Sequence, residues 1–67
     1  MGKICLNGNE VSVENGSTVL DIILSRSIEP TQVVVELNGK ILERSQFAHT
    51  SPDEGDVLEI LRFVGGG

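Results

Sequence analysis

Apolar and polar residues alternate over the first part of this chain, on both sides of an asparagine–glycine pair. Ile4 and Leu6 precede Asn7-Gly8, and Val11 and Val13 alternate with polar residues after it. Asn-Gly favours a type I′ turn, because both central residues of that turn need a positive φ. The segment therefore predicts a tight β-hairpin (residues 3–6 and 10–14) with one apolar face.

The next segment has the spacing of a helix. Thr18 is predicted to be the N-cap, with Asp21 completing a capping box three residues later. The helix should end near Ser25 to Ser27, and Pro30 prevents its continuation, so we expect about ten residues. The predicted buried stripe consists of Val19, Leu20, Ile23 and Leu24, with Ile22 at its margin.

The pattern in the second half of the chain again predicts strands. Val33–Leu37 is rich in β-branched residues and runs into a second Asn-Gly pair, after which Ile41 and Leu42 could form a very short strand. Residues 43–50 show no sustained period, and we expect a turn of helix around Phe47. A dense cluster of turn residues fills 51–56. The last strand is predicted from Val57 to about residue 64.

This order of elements predicts the fold class. One helix between the second and third strands is typical of the α+β class and of the β-grasp (ubiquitin-like) arrangement. We expect a mixed sheet of about four or five strands, with the helix packed across it and the last strand inserted beside the first. The chain is interpreted as one domain (1–67), with a folded core (1–64) and a flexible tail (65–67).

The three final glycines, Gly65, Gly66 and Gly67, are a candidate functional segment. They carry no side chains, so any chemistry there must involve backbone atoms and the carboxyl group of Gly67. Three extended residues reach roughly 10 Å, enough to enter a cleft of a partner. The alternative is that terminal glycines simply fray or remain from an expression vector.

Composition and charge exclude several classes of protein. The 67 residues carry a formal net charge of -5, which argues against nucleic-acid binding. A single cysteine excludes a small secreted protein with internal disulfides, and no apolar stretch is long enough to span a membrane. We therefore expect a cytoplasmic protein. We also expect it to bind no cofactor and to be monomeric when free.

Other reactive residues give weaker signals. Cys5 is interpreted as a small apolar residue, because a free cysteine usually packs as one and a reactive thiol needs a strongly electropositive environment. His49 lies in a polar segment without ligand-like neighbours, which favours a surface position. Asp53, Glu54 and Asp56 form an acidic cluster, but their neighbours indicate a turn.

Four segments of the chain resemble one known family. They are residues 33–39 (VVVELNG), 44–47 (RSQF), 54–56 (EGD) and 62–67 (RFVGGG). Together they are similar to the sulfur carriers of thiamin biosynthesis, the ThiS family. The glycine end alone is shared by all ubiquitin-like carriers, whereas the combination is more specific.

The resemblance implies a chemical cycle on Gly67 and a set of partners. A partner resembling the ubiquitin-activating enzymes would use ATP to adenylate the terminal carboxylate. A sulfur donor, such as a cysteine desulfurase, would lead to a thiocarboxylate. That sulfur would pass to thiazole synthase, so the chain would be a carrier and not an enzyme.

Strand alternation also predicts a docking face. If Leu58 and Ile60 face the helix, then Val34, Leu61 and Phe63 lie together on the opposite face of the sheet. Exposed apolar clusters usually mark interaction sites. We expect these three residues and Val64 to contact the partner. The alternatives are that one or two of them are partly covered by neighbouring parts of the chain, or that the patch mediates self-association.

Two other functions are compatible with the same fold. The chain could be the small subunit of molybdopterin synthase, which shares the fold and the glycine end but is usually longer. It could also be a ubiquitin-like module that binds without covalent chemistry. An enzyme that uses Cys5 or His49 has almost no support.

Overall fold

The computed structural model describes residues 2–62, and Met1 and residues 63–67 lie outside the described part. Within that range, each predicted strand and the predicted helix are present, although some of their ends differ from the prediction. The strands and the helix are β1 (Gly2–Leu6), β2 (Asn9–Val13), α1 (Val19–Ser25), β3 (Val33–Leu37), β4 (Lys40–Leu42) and β5 (Val57–Arg62). The division into a core and a tail stays a prediction, because the proposed boundary lies outside these residues.

The strands form a single five-stranded sheet in the order β2-β1-β5-β3-β4. β1 pairs with β5 in parallel, and the other neighbouring pairs are antiparallel. The predicted α+β fold, a mixed sheet with one helix across it, is therefore confirmed. The last strand lies in the centre of the sheet beside the first, as the β-grasp arrangement requires.

The first hairpin forms at the predicted turn. Asn7 and Gly8 both have a positive φ, 49° and 85°, and Leu6 pairs with Asn9 across the turn. This is the backbone conformation that favours Asn-Gly in two-residue hairpin turns. The second strand begins and ends one residue earlier than predicted.

The helix begins as predicted but is shorter. The Asp21 backbone N–H donates to Thr18 Oγ1, and the Thr18 backbone N–H donates to Asp21 Oδ2, both at 3.0 Å. α1 has only 7 residues, so the expected length of about ten was wrong. The Ser25 hydroxyl bonds back to the Ile22 carbonyl, and Ser27 has a left-handed φ of 59°, which ends the helical path.

The buried face of α1 also differs from the prediction. Val19, Ile22 and Ile23 are buried, whereas Leu24 is 54% exposed. The sequence contains two overlapping apolar stripes, and local spacing cannot select between them. Packing against the sheet and the neighbouring 3₁₀ helix buries the stripe that contains Ile22 and leaves Leu24 in solvent.

The core lies between α1 and one face of the sheet. Phe47 lies in a 3₁₀ helix, Arg44–His49, and is 2% exposed, so the expected helical turn around it is confirmed. A second 3₁₀ helix, Pro30–Gln32, leads into β3. The buried apolar side chains are Ile4, Leu6, Val19, Ile22, Ile23, Val33, Val35, Phe47, Leu58 and Ile60.

Two asparagine side chains hold β5 in the centre of the sheet. The Ile60 N–H donates to Asn7 Oδ1 at 2.8 Å, and Asn7 Nδ2 donates to the Ile60 carbonyl at 3.3 Å. On the other edge of β5, the Val57 N–H donates to Asn38 Oδ1 at 2.9 Å. Each side-chain amide thus acts as an additional peptide group where the strand pairing ends. The sequence predicted both asparagines as turn residues only.

Replacing Asn7 with glycine should destabilise the protein without disturbing the turn. Glycine accepts the positive φ but leaves the partly buried Ile60 backbone groups without the amide partner. We expect Asn7→Gly to lower the free energy of unfolding by about 1–2 kcal/mol, measured by urea denaturation.

The control is Ser27→Gly. Ser27 also has a positive φ, but its side chain makes none of the hydrogen bonds within the described residues. This variant should lose little or no stability. An Asn7→Gly protein as stable as the wild type would show that the amide does not hold β5.

Candidate functional site

The predicted reactive residue lies just beyond the described chain. Gly67, the tail residues Gly65 and Gly66, and the docking residues Phe63 and Val64 all fall outside residues 2–62. Their predicted roles stay predictions. The structure does show what precedes them.

The segment before the tail is paired on both sides. β5 pairs with β3 from Leu58 to Arg62, where Arg62 lies opposite Val33. On its other edge, β5 pairs with β1 at Val57 and Leu58. The last described residue, Arg62, therefore belongs to a strand fixed in the sheet.

The face of the sheet away from α1, here called the open face, carries the other predicted docking residues. Val34 lies directly opposite Leu61 in the β3–β5 pair. Leu61 is 52% exposed and Val34 is half-buried. The structure thus brings together the two docking residues that it describes, although their contact with a partner stays a prediction.

The structure adds two apolar residues to the open face that the predicted docking set lacked. Val57 is 42% exposed and lies beside Cys5 in the β1–β5 pair. Ile41 is 72% exposed and lies opposite Glu36. Exposure of such residues on one face is typical of an interaction surface. Ile41 was missed because its three-residue strand has no alternation long enough to define a face.

Glu36 and Glu59 also lie on the open face, directly opposite each other on β3 and β5. The alternation of buried residues in β3 and β5 places both side chains on this face, and the register makes them neighbours. Neither carboxylate takes part in the side-chain hydrogen bonds described for residues 2–62.

The acidic cluster after residue 52 has a structural role. The Asp53 N–H donates to Asp56 Oδ2 at 2.7 Å, and the Lys3 N–H donates to Glu54 Oε1 at 2.9 Å. Asn38 Nδ2 donates to Asp56 Oδ1 at 3.1 Å. These carboxylates satisfy local donors, which agrees with their interpretation as turn residues.

The other candidate residues lie apart. Cys5 is a free, half-buried thiol on β1, and His49 ends the 3₁₀ helix on the opposite side of the sheet. Within residues 2–62, no group of three histidine, cysteine, aspartate or glutamate side chains is placed to bind a metal ion. In the same range, no helix has the length and apolarity needed to cross a bilayer.

Comparison with known proteins gives a consistent result. The model of the ThiS family matches residues 4–67. A relative from Bacillus subtilis, named sulfur carrier protein ThiS, is 35% identical over 63 residues, covering 92% of this chain and 96% of the relative. A crystal structure of the thiamine biosynthesis protein ThiS from Geobacter metallireducens has 34% identity and a TM-score of 0.78, covering 97% of this chain and 99% of that one.

One further relative is a much longer protein. The thiazole synthase of Paramagnetospirillum magneticum is 34% identical over 65 residues, which is 97% of this chain but 20% of the relative. This chain therefore spans about a fifth of that relative's length.

The assignment of the two sheet faces can be tested with a matched pair of substitutions in β5. Leu61 lies on the open face, whereas Leu58 is fully buried. Leu61→Thr should change the free energy of unfolding by less than about 1 kcal/mol, because threonine suits an exposed strand position.

Leu58→Thr should lower the same quantity by about 3 kcal/mol or more, because it removes core contacts and buries a hydroxyl. Urea denaturation of both variants measures the difference. Similar losses for the two would contradict the face assignment.

Proposed function

This chain belongs to the ThiS family, and we propose that it is a sulfur carrier of thiamin biosynthesis that delivers sulfur from the carboxyl group of Gly67 to thiazole synthase. The family match includes the final glycines. The Bacillus relative, which this chain covers almost completely, is named a sulfur carrier protein. The proposal requires Gly67 to carry a free carboxyl group in the mature protein.

One structural observation supports this function above the others. β5 is bonded on both edges in the centre of the sheet, and only Phe63 and Val64 separate it from the three glycines in the sequence. The five residues after Arg62 can extend at most about 17 Å. A carboxyl group at their end would thus enter the active site of a partner while the domain stays outside.

The chemistry of the proposed cycle resides in the partners. A carboxylate is a poor electrophile, so an activating enzyme of the ubiquitin-activating type would join it to AMP with release of pyrophosphate from ATP. Attack of a donor persulfide on the acyl carbon expels AMP and forms an acyl disulfide. A thiol then cleaves the S–S bond, which leaves a thiocarboxylate on the carrier and joins that thiol to the donor sulfur in a disulfide. A cysteine desulfurase is a suitable source of that sulfur.

This chain would contribute a narrow segment without side chains and a surface that binds the partner. Gly65 and Gly66 have no side chains, so a narrow channel could accept them and contact their backbone closely. The open face, with Val34 and Leu61, would hold the carrier against its partner while the carboxyl group reacts. The chain itself would supply neither ATP nor a general base.

Thiazole synthase is proposed to receive the sulfur because the longer relative from Paramagnetospirillum magneticum carries that name. In that protein, a segment similar to this whole chain is part of the same polypeptide as thiazole synthase. Covalent linkage keeps two domains at a high effective concentration, which is useful when one acts on the other. The cytoplasmic location and the monomeric state of the free chain stay predictions.

The carrier function predicts a change in intact mass. The chain is incubated with ATP, an activating enzyme from the same organism and a sulfur donor, and its mass is recorded. We expect an increase equal to the difference between sulfur and oxygen, located at Gly67 by fragmentation.

A chain extended by one alanine after Gly67 is the control and should keep its mass, because the carboxyl group is displaced. Gly66→Val should react much more slowly, because its side chain obstructs the channel. The proposal would be contradicted if the wild-type chain kept its mass while the same enzyme and sulfur donor added sulfur to another carrier protein.

The pathway is tested separately by the product formed. The thiocarboxylate chain should support thiazole formation by thiazole synthase and should fail to replace the small subunit of molybdopterin synthase. The reverse result would assign the chain to molybdenum-cofactor synthesis. Binding to both enzymes without sulfur transfer would instead indicate a non-covalent ubiquitin-like module.

A further inference from the structure

The centre of the open face is acidic, although the residues around it are apolar. Glu36 lies directly opposite Glu59. Side chains in such a pair have Cβ atoms about 4.5–5.5 Å apart, and like charges in that position are destabilising. The register therefore places two like charges opposite each other in the middle of the sheet, an unfavourable arrangement in the free protein.

No cation from the neighbouring strands relieves this contact. Lys40 and Arg62 are the basic residues of β4 and β5. Their cross-strand partners, Leu37 and Val33, are on the helix side of β3. Paired residues share a face, so both basic residues project from the other side of the sheet.

The remaining basic residues are farther away. Lys3 is two positions before Cys5, and Cys5 itself is level with Val57 on β5. Arg26 ends α1, and Arg44 donates to a backbone carbonyl. The sequence has five lysine and arginine residues in total, and the described chain includes all of them. The two carboxylates thus lack a positive partner within residues 2–62.

The apolar surroundings determine what can cover the pair. Val34 and Leu61 lie on one side of it, Val57 lies on the other, and Ile41 is next to Glu36. A partner that buries these apolar side chains also removes water from the carboxylates between them. Desolvated charges are strongly unfavourable unless an opposite charge pairs with them.

Charge selects among the possible occupants. A second copy of this chain would bring two acidic pairs together, and each copy has a net charge of -5. A partner surface with a positive centre and an apolar rim is complementary instead. An arginine guanidinium suits the position best, because its planar set of donors can bind two carboxylates at once and it is weakly hydrated.

We propose that thiazole synthase covers the open face and places an arginine side chain between Glu36 and Glu59. The choice of thiazole synthase rests on the proposed function, whereas the guanidinium follows from the register and the charges. The pair is then a specificity determinant: it is unfavourable in the free chain and becomes favourable only on a surface with a matching cation.

The test measures affinity and stability on the same variants. The full chain and thiazole synthase from the same organism are studied by titration calorimetry. Glu36→Gln and Glu59→Gln should each weaken binding about tenfold, while raising the urea midpoint of the free chain. Their combination should weaken binding by at least the product of the two effects, because it leaves the covered guanidinium without any carboxylate.

Glu59→Lys gives a stronger form of the same test. The lysine would pair with Glu36 across the strands and stabilise the free chain. It would also repel the arginine of the partner, so binding should weaken more than with Glu59→Gln. A residue with only a structural role would not raise stability and lower affinity together.

The matched control is Glu43→Gln. Glu43 precedes the 3₁₀ helix Arg44–His49, is exposed and makes no side-chain cap hydrogen bond there. The Glu43→Gln substitution removes one negative charge, as Glu36→Gln and Glu59→Gln do, but it leaves the Glu36–Glu59 pair intact. It should therefore change the affinity less than about twofold. Equal effects of Glu43→Gln and Glu59→Gln, or wild-type affinity of both Gln variants on the open face, would overturn the proposal.

The intact-mass assay separates this inference from the carrier function. If the wild-type chain acquires sulfur but does not bind thiazole synthase, the docking inference is wrong and carrier chemistry remains. If Glu36→Gln and Glu59→Gln weaken binding but no sulfur is acquired, the docking inference holds and the carrier function is wrong.

Discussion

The position of β5 between β1 and β3 is the constraint on which the rest of the structure depends. A central strand must satisfy its backbone groups along both edges, because it has no solvent on either side to do so. Strand pairing with β1 covers only two residues of β5. The side chains of Asn7 and Asn38 complete the bonding, so the residues that shape the turns also fix the central strand.

The same strand contributes side chains to both faces of the sheet. Leu58 and Ile60 join the core beneath α1, whereas Leu61 remains half exposed on the open face. In a chain of this size, the core supplies a stability of only about 3–5 kcal/mol. An unfavourable pair such as Glu36 and Glu59 is therefore a noticeable fraction of that stability, which favours a role in recognition over an accident of composition.

Local patterns predicted the strands well, because the alternation around the first Asn-Gly pair and the β-branched residues of β3 are properties of neighbouring residues. The fold followed from the order of elements. The buried face of α1 did not, since Ile22 and Leu24 belong to overlapping stripes that only tertiary packing separates. The opposition of Glu36 and Glu59 depends on the register between strands 20 or more residues apart, and no short window of sequence contains it. The chemistry of Gly67 came from family resemblance, not from local physics.

The central position of β5 has a consequence for synthesis on the ribosome. The strand that closes the middle of the sheet is encoded after every other described element, at Val57–Arg62. Until those residues leave the exit tunnel, β1 and β3 have no neighbour between them, and the core lacks Leu58 and Ile60. A nascent chain that stalls before this point cannot complete its sheet and exposes unpaired strand edges to proteases and chaperones. Complete folding therefore requires that β5, the strand that precedes the glycine segment, has been synthesised and has left the exit tunnel.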